Sequence, residues 1–427
     1  MAPRPLAHAS GQSRRAAPRP DTHRRPRLAG RVTSALVAQL AGVLAAAFFS
    51  SAHAAEPLKV GVLAPITGAT AADGARLLKA HQLAVNEINS AGGIAGLGGA
   101  KVELLIADTQ SKPEVGRHAA ERLIARDEVS ALLGAWASAV TMPSMQVAER
   151  YRTPFIVTSA VTDSITERNL QFVFRVSPKG SWAARDVGSF INYLRGKGVT
   201  IDKVALAYED GPFGQAVSKG YKKGLPAQGI HIVGEETFRT GSPDMSTQAA
   251  KLKATGADLL LIVCYVDDEV VLLRALAAQR YKPMVLGYGG GHVHPTLLQL
   301  GPMVDGAFGI VEWMPDLKKT ATEQFAKAYK AAYGEMPLSN AAQAYAATWA
   351  IALAADAARS RDPVKLRDSL RTLRLDKGPA SLLPNEALDF DAAGQNNVGN
   401  VISQVIDGRF VTIWPEAVAG QSLRLAH

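Results

Sequence analysis

The chain has a single cysteine, Cys264, among 427 residues. One thiol excludes an internal disulfide, a cysteine-based zinc site and a CxxC redox pair. Aromatic residues are sparse at 6%. No apolar run after residue 49 is long enough to cross a bilayer. Sequence signals of the common catalytic classes are missing as well. Ser138 lacks the Gly-x-Ser-x-Gly elbow of a hydrolase nucleophile. The Gly287–Gly291 loop has no Lys-Ser/Thr end to cradle phosphate. The Gly93–Gly98 cluster follows a helical pattern rather than a strand, the wrong context for a dinucleotide fingerprint and the right one for a turn. His292 and His294 have no cysteine or nearby carboxylate to complete a metal site, so no metal and no cofactor is expected.

What is present is a chain that is 47% hydrophobic, globular in composition and formally charged at +9. That charge is confined to one end. Residues 1–31 hold eight arginines, no lysine and one acid, Asp21, a net of +7, which leaves +2 for residues 55–427. A nearly neutral body does not have the electrostatic footprint of a nucleic-acid binder. The basic start runs into the uncharged, helix-prone stretch Val32–Phe49 and then Ser50-Ser51-Ala52-His53-Ala54. Basic region, apolar region and small-residue exit together predict a cleaved secretory presequence over 1–54, leaving 373 residues. The basic part is long for such a signal, which places the true start downstream of Met1, and Arg24-Arg25 is a weak twin-arginine candidate. The alternative is an uncleaved membrane anchor, for which the apolar run barely suffices.

The body alternates short apolar runs with amphipathic stretches. The spacing predicts strands at Leu58–Ala64, Val102–Ala107, Val129–Gly134 and Pro154–Thr158, with helices at Gly74–Ser90, Pro113–Arg126 and Ala139–Tyr151. A second block repeats the pattern, with strands at Lys203–Tyr208, His231–Gly234, Asp258–Cys264 and Pro283–Gly287 and helices at Gly214–Gln228, Met245–Thr255 and Asp268–Arg280. Helical stretches follow at Thr320–Tyr333, Asn340–Arg359 and Val364–Leu373, then short strands at Leu388–Phe390, Val401–Ile406 and Val411–Trp414. Continuous apolar strands alternating with helices argue for α/β architecture: two doubly wound parallel-sheet lobes.

Ligands on such sheets sit beyond the carboxyl ends of the strands. In the first block those positions are small and hydroxyl-rich: Pro65–Gly74 with Asp73, Gly134–Thr141 with Trp136 and Ser138, and Thr158–Asp163 with Ala160 and Thr162. Hydroxyls and unbonded backbone N–H groups at helix starts suit a carboxylate, although Ser138 and Thr162 also fit plain helix caps. The second block places an aromatic at each comparable exit: Phe213, Tyr265 and Tyr288. These suit the apolar wall of a pocket. The acid pairs Glu209-Asp210 and Asp267-Asp268 read as loop acids or helix N-terminal charges, and no residue is identified as catalytic.

Taken in order, LKVGVLAPITGATAADGARLLKAHQLAVNEINSAGGI (58–94), Asp108–Pro113, GAWASAVT (134–141), PFIVTSAVTDSIT (154–166) and YEDGPFGQAVSKGYKKGL (208–225) resemble the Leu/Ile/Val-binding family of periplasmic solute-binding proteins. The resemblance implies two lobes joined by a three-stranded hinge, with crossings near Ser177–Gly180, Val311–Pro315 and Leu388–Ala392. The chain then weaves: 55–178 in lobe 1, 179–312 in lobe 2, 313–388 in lobe 1, and 389–427 in lobe 2 and a tail. It implies a periplasmic, non-enzymatic, monomeric receptor that delivers a small amino acid, amide or aromatic or aliphatic carboxylate to an ABC permease in the inner membrane.

By that resemblance the ligand carboxylate falls to Ser138, Ala160 and Thr162, and the second lobe covers it with Phe213 and Tyr265. Gly289 stands where amino-acid binders of the family place an acid against the ligand ammonium. Asp73 is then the residue to supply that charge, unless the ligand has no amine. Trp136 resembles part of the loop of amide- and urea-binding relatives. The disulfide of some relatives has no counterpart, since Ser111 and Ala137 hold its positions. Two alternatives share the architecture: a sensor that hands its ligand to a signalling partner, and a nucleotide-dependent enzyme. The loop Thr67-Gly68-Ala69-Thr70 after the first strand argues against the enzyme.

Overall fold

The computed structural model describes residues 55–385 and 387–425. The expected presequence, residues 1–54, lies outside the described residues. No helix among those described is long and apolar enough to cross a membrane.

Five parallel strands build the first sheet: β1 (Leu58–Ala64), β2 (Val102–Asp108), β3 (Ala131–Gly134), β4 (Phe155–Val157) and β5 (Val173–Arg175). Their order is β2-β1-β3-β4-β5. The second sheet takes β6 (Lys203–Glu209), β7 (His231–Phe238), β8 (Leu259–Val263), β9 (Met284–Tyr288) and β10 (Phe308–Val311) in the parallel order β10-β9-β8-β6-β7. A small antiparallel pair, β11 (Arg374–Leu375) and β12 (Leu388–Asp389), stands apart. The hairpin β13 (Val401–Ile406) and β14 (Arg409–Trp414) then adds antiparallel to β10. Its two-residue turn has Asp407 at φ 52° and Gly408 at φ 70°, the left-handed pair that matches strand twist in a tight hairpin.

Both sheets reverse winding direction inside. In the first, β1 lies between β2 and β3; in the second, β6 and β8 are the neighbours at which the order turns. Loops leaving such a pair diverge to opposite faces and leave a crevice. The loops after β1 and β3 therefore open one crevice, and those after β6 and β8 the other.

The chain leaves the first lobe and returns to it. The Ala-rich helix Ser339–Ala358 is buried nearly all round and packs along helix Ala71–Ser90, so it shares one apolar core with β1, β3 and β4. Residues 391–400 then run back beside the first crossing. Arg175 N–H donates to the Gly394 carbonyl (2.8 Å) and Asn396 N–H to the Arg175 carbonyl (3.0 Å). The Gln395 and Asn396 amides donate to the carbonyls of Ser177 and Val176, each at 2.9 Å.

Most elements lie where periodicity put them, and helix Thr320–Tyr333 and strand β13 match to the residue. Several did not emerge from the sequence, four of them near the site or the crossings. Strands β5 and β10 are as short as β3 and β4 but lack a clean apolar run, β5 ending on Arg175 and β10 being broken by Gly309. Helix Ala183–Gly196 does carry a periodic signal, burying Ala184, Val187, Ile191 and Leu194 on one face. Gly289–His292 reads as a loop by composition but forms a helical turn, closed down because Gly291 packs within reach of the Cys264 carbonyl, where a side chain has no room.

Candidate functional site

A cavity between the lobes, about 580 Å3 with its open mouth included, gathers the strand exits of both sheets. Seven of the eight residues proposed from sequence line it: Asp73, Trp136, Ser138, Ala160, Phe213, Tyr265 and Gly289.

The first-lobe wall comes from the loops after β1, β3 and β4. Ser138 opens helix Ser138–Arg150, and its buried Oγ accepts the Thr162 N–H at 3.4 Å. Trp136 adopts φ 74°, a left-handed conformation uncommon for a bulky residue, and its indole lines the cavity. Such a conformation persists only where its surroundings impose it, and it often marks a ligand site. The Trp136 Nε1 and Ser159 Oγ are buried with no hydrogen-bond partner in the protein.

Thr162, the eighth residue, is not part of the lining. Its hydroxyl donates to the Pro212 carbonyl across the lobes (3.0 Å), and its own carbonyl accepts the Arg175 Nη1 (2.7 Å). Arg175 is fully buried and also reaches Thr166 and Gln395. Burial lowers its pKa to about 10, so it remains charged at neutral pH. Thr162 thus ties lobe to lobe and loop to hinge, and its hydroxyl is already engaged.

The second-lobe wall is aromatic. Phe213 packs on Tyr265 and Tyr288, with ring centroids 5.5 and 5.7 Å apart. Burial drives both phenols up from their usual range, so they are neutral donors. The Tyr288 hydroxyl has no partner. Glu209, at the end of β6, does not face the ligand space. It accepts the N–H groups of Gly211 and Gly214, both at 2.6 Å, and so anchors the helix start that presents Phe213. Asp268 similarly accepts the Gly241 N–H at 2.7 Å.

One acid emerged only from the tertiary structure. Glu312 follows β10 in the second crossing, is buried and lines the cavity. A methyl group at Gly289 would stand 3.4 Å from the Glu312 Oε1. The carboxylate therefore fills the space beside Gly289. Ser339 Oγ donates to it at 2.9 Å. Burial pushes its pKa up, with its own backbone N–H and Ser339 pulling the other way. A cue was present, because Glu312 immediately follows a strand, but Gly309 breaks the apolar run of that strand.

Asp73 lies on the first turn of helix Ala71–Ser90. Asn340 Nδ2 approaches its Oδ1 at 3.3 Å. Burial raises its pKa to about 7, against the attraction of Arg76, with Asp267 adding to the rise. Arg76 in turn contacts the His294 Nε2 at 2.9 Å, a second link between the lobes. Burial, and then Arg76, lower the His294 pKa to about 4, so the ring is neutral and can accept that bond. His292 turns elsewhere, to Glu269 Oε1 at 2.5 Å.

No lysine or arginine lines the cavity, whereas two carboxylates do. The same lining carries hydroxyl, indole and amide groups without partners: Ser159, Tyr288, Trp136 and Gln343. Buried polar groups are normally satisfied, so these atoms are unusual in having no partner within the protein.

Known proteins resemble the chain along nearly all of its described length. The periplasmic binding protein family model matches residues 57–407. A "Leu/Ile/Val-binding protein homolog 8" of Brucella melitensis is 31% identical over 399 residues, covering 91% of this chain and 97% of that protein. Among solved structures, the branched-chain amino acid transporter substrate-binding protein LivJ of Streptococcus pneumoniae, in complex with isoleucine, superposes with a TM-score of 0.74 at 22% identity, over 84% of this chain and 100% of that one. A solute-binding protein of an ABC transporter from Rhodopseudomonas palustris, in complex with 3,4-dihydroxybenzoic acid, gives 0.73 at 21% identity, over 83% and 95%. At these identities the two structures establish a shared fold: two α/β lobes joined by crossing strands.

Proposed function

The chain belongs to the periplasmic binding protein family and is a solute-binding protein; on that premise we propose that it captures a small α-amino acid between its lobes and hands it to an ABC permease of the inner membrane. Export under the 1–54 presequence and residence in the periplasm are part of the same proposal. The observation that carries the amino-acid reading is Glu312, whose carboxylate stands beside Gly289 on the cavity wall.

The ligand carboxylate docks on the first-lobe loops, where Ser138 and Ser159 present hydroxyls and Ala160 its backbone. The ammonium pairs with Glu312, which offsets the cost of burying that acid. Phe213, Tyr265 and Tyr288 close over the carbon skeleton. Closure follows because the ligand contacts both walls only when the lobes meet, so it favours that state by its differential contacts.

Calorimetric titration with matched pairs tests this reading: an α-amino acid against the same carbon skeleton lacking the amine. The amino acid binds and its deaminated partner is weaker by at least a hundredfold. Equal affinity, or preference for the amine-free acid, overturns the assignment and points to a simple carboxylate as the solute.

A further inference from the structure

We propose that the solute carries a carboxamide at the end remote from its α-carbon, and that Asp73 and Gln343 form the subsite that receives it. This rests on the amino-acid reading above, because Glu312 must already hold the α-ammonium for Asp73 to be left for another group.

The two acids are kept apart by the start of one helix. Ser339 donates to Glu312, and the next residue, Asn340, approaches Asp73. They therefore sit on different sides of that helix start and serve different parts of a ligand. Asp73 is only 5% exposed. Its one close side-chain partner, Asn340, is neutral and distant at 3.3 Å. Arg76, the nearest cation named above, spends its Nη1 on the Ala72 carbonyl (3.2 Å) and on His294 (2.9 Å). A carboxylate so buried gains from any donor that a ligand brings. Its raised pKa expresses the same shortage.

Gln343 decides what kind of donor. It lies three residues beyond Asn340, is 1% exposed and lines the cavity, yet its Nε2 has no partner. The cavity wall therefore presents Asp73, an acceptor with a single long side-chain bond, and Gln343, a donor with none. A carboxamide answers both: its NH2 donates to Asp73 and its carbonyl accepts from Gln343. An ammonium answers only the first, a carboxylate only the second and with repulsion from Asp73, and an aliphatic group neither. Sites that hydrogen-bond a polar group discriminate strongly against analogues lacking it, because their own polar atoms are then buried unpaired.

The test is calorimetry on the protein with L-asparagine, L-glutamine, L-leucine (the apolar isostere of asparagine), L-aspartate and L-ornithine. At least one amide is expected to bind tenfold or more tightly than leucine, aspartate and ornithine. Asp73→Leu should remove that preference, and Asp73→Asn, which keeps size, should weaken the amide at least fivefold. Leucine binding as tightly as both amides overturns the proposal, as does a preference that survives Asp73→Leu in a folded protein. Ornithine binding more tightly than the amides assigns the subsite to a cation instead. If amino acids bind without regard to the distal group, only this inference fails. If none binds, the amino-acid reading fails and this one with it.

Discussion

The two walls of the cavity differ in chemistry. The first-lobe wall is small and polar: Ser138, Ser159, Ala160 and Asp73, with the Trp136 indole among them. The second-lobe wall is aromatic, with Phe213, Tyr265 and Tyr288 packed on one another. Its charge comes from Glu312 at the hinge. The difference separates two tasks. Directional bonds on one side fix the orientation of a ligand, while non-directional burial on the other rewards closure.

The comparison is broken most directly at Glu312. Glu312→Gln keeps the Ser339 bond and removes the charge, and is expected to cost about 3 kcal/mol, or on the order of a hundredfold in Kd, as for one partner of a buried charge pair. A change below threefold by calorimetry would put the ammonium elsewhere. Phe213→Ala tests the opposite wall. Loss of a buried ring is expected to cost about 2 kcal/mol of binding, with a folded circular dichroism spectrum retained.

Asp73 adds a pH signature. Its pKa rises from 3.8 to about 7 on folding. Between those values the folded protein holds a proton that the unfolded chain has released. The ligand-free protein therefore loses stability as pH rises from about 4 to 7, by up to about 1.4 kcal/mol per unit from this group, with no further loss above. Denaturant titrations at stepped pH should show that slope, and Asp73→Asn should flatten it.

Ser138→Ala is expected to weaken binding by about 1 kcal/mol, close to fivefold. The smallest effect belongs to Thr162→Val. Its hydroxyl serves Pro212 across the lobes, so Kd should move by no more than about 0.5 kcal/mol, the worth of a weak exchanged hydrogen bond. A tenfold loss would return Thr162 to the ligand itself.

The two walls also differ in how far they could be read. Trp136, Ser138 and Ala160 directly follow strands whose apolar runs are plain, so a rule about strand exits finds them. Phe213 and Tyr265 yield to the same rule, because β6 and β8 are equally clear. Glu312 obeys it too, but Gly309 breaks the apolar run of β10. Asn340 and Gln343 obey no such rule. They belong to a helix that follows the second lobe in sequence and packs against the first. Thr162 was found for a sound local reason and then claimed by Pro212 and Arg175, two neighbours that no local pattern announces.

Periodicity and composition by themselves determined the alternation of strand and helix, the near-neutral body behind a basic N-terminal stretch, and which loops stand at strand ends, since each depends on neighbours along the chain. Only the tertiary structure decided which polar atoms go without partners and which acid stands beside Gly289. Burial and hydrogen bonding depend on what the fold brings within about 3 Å, and here it brings together residues 73, 138, 312 and 343.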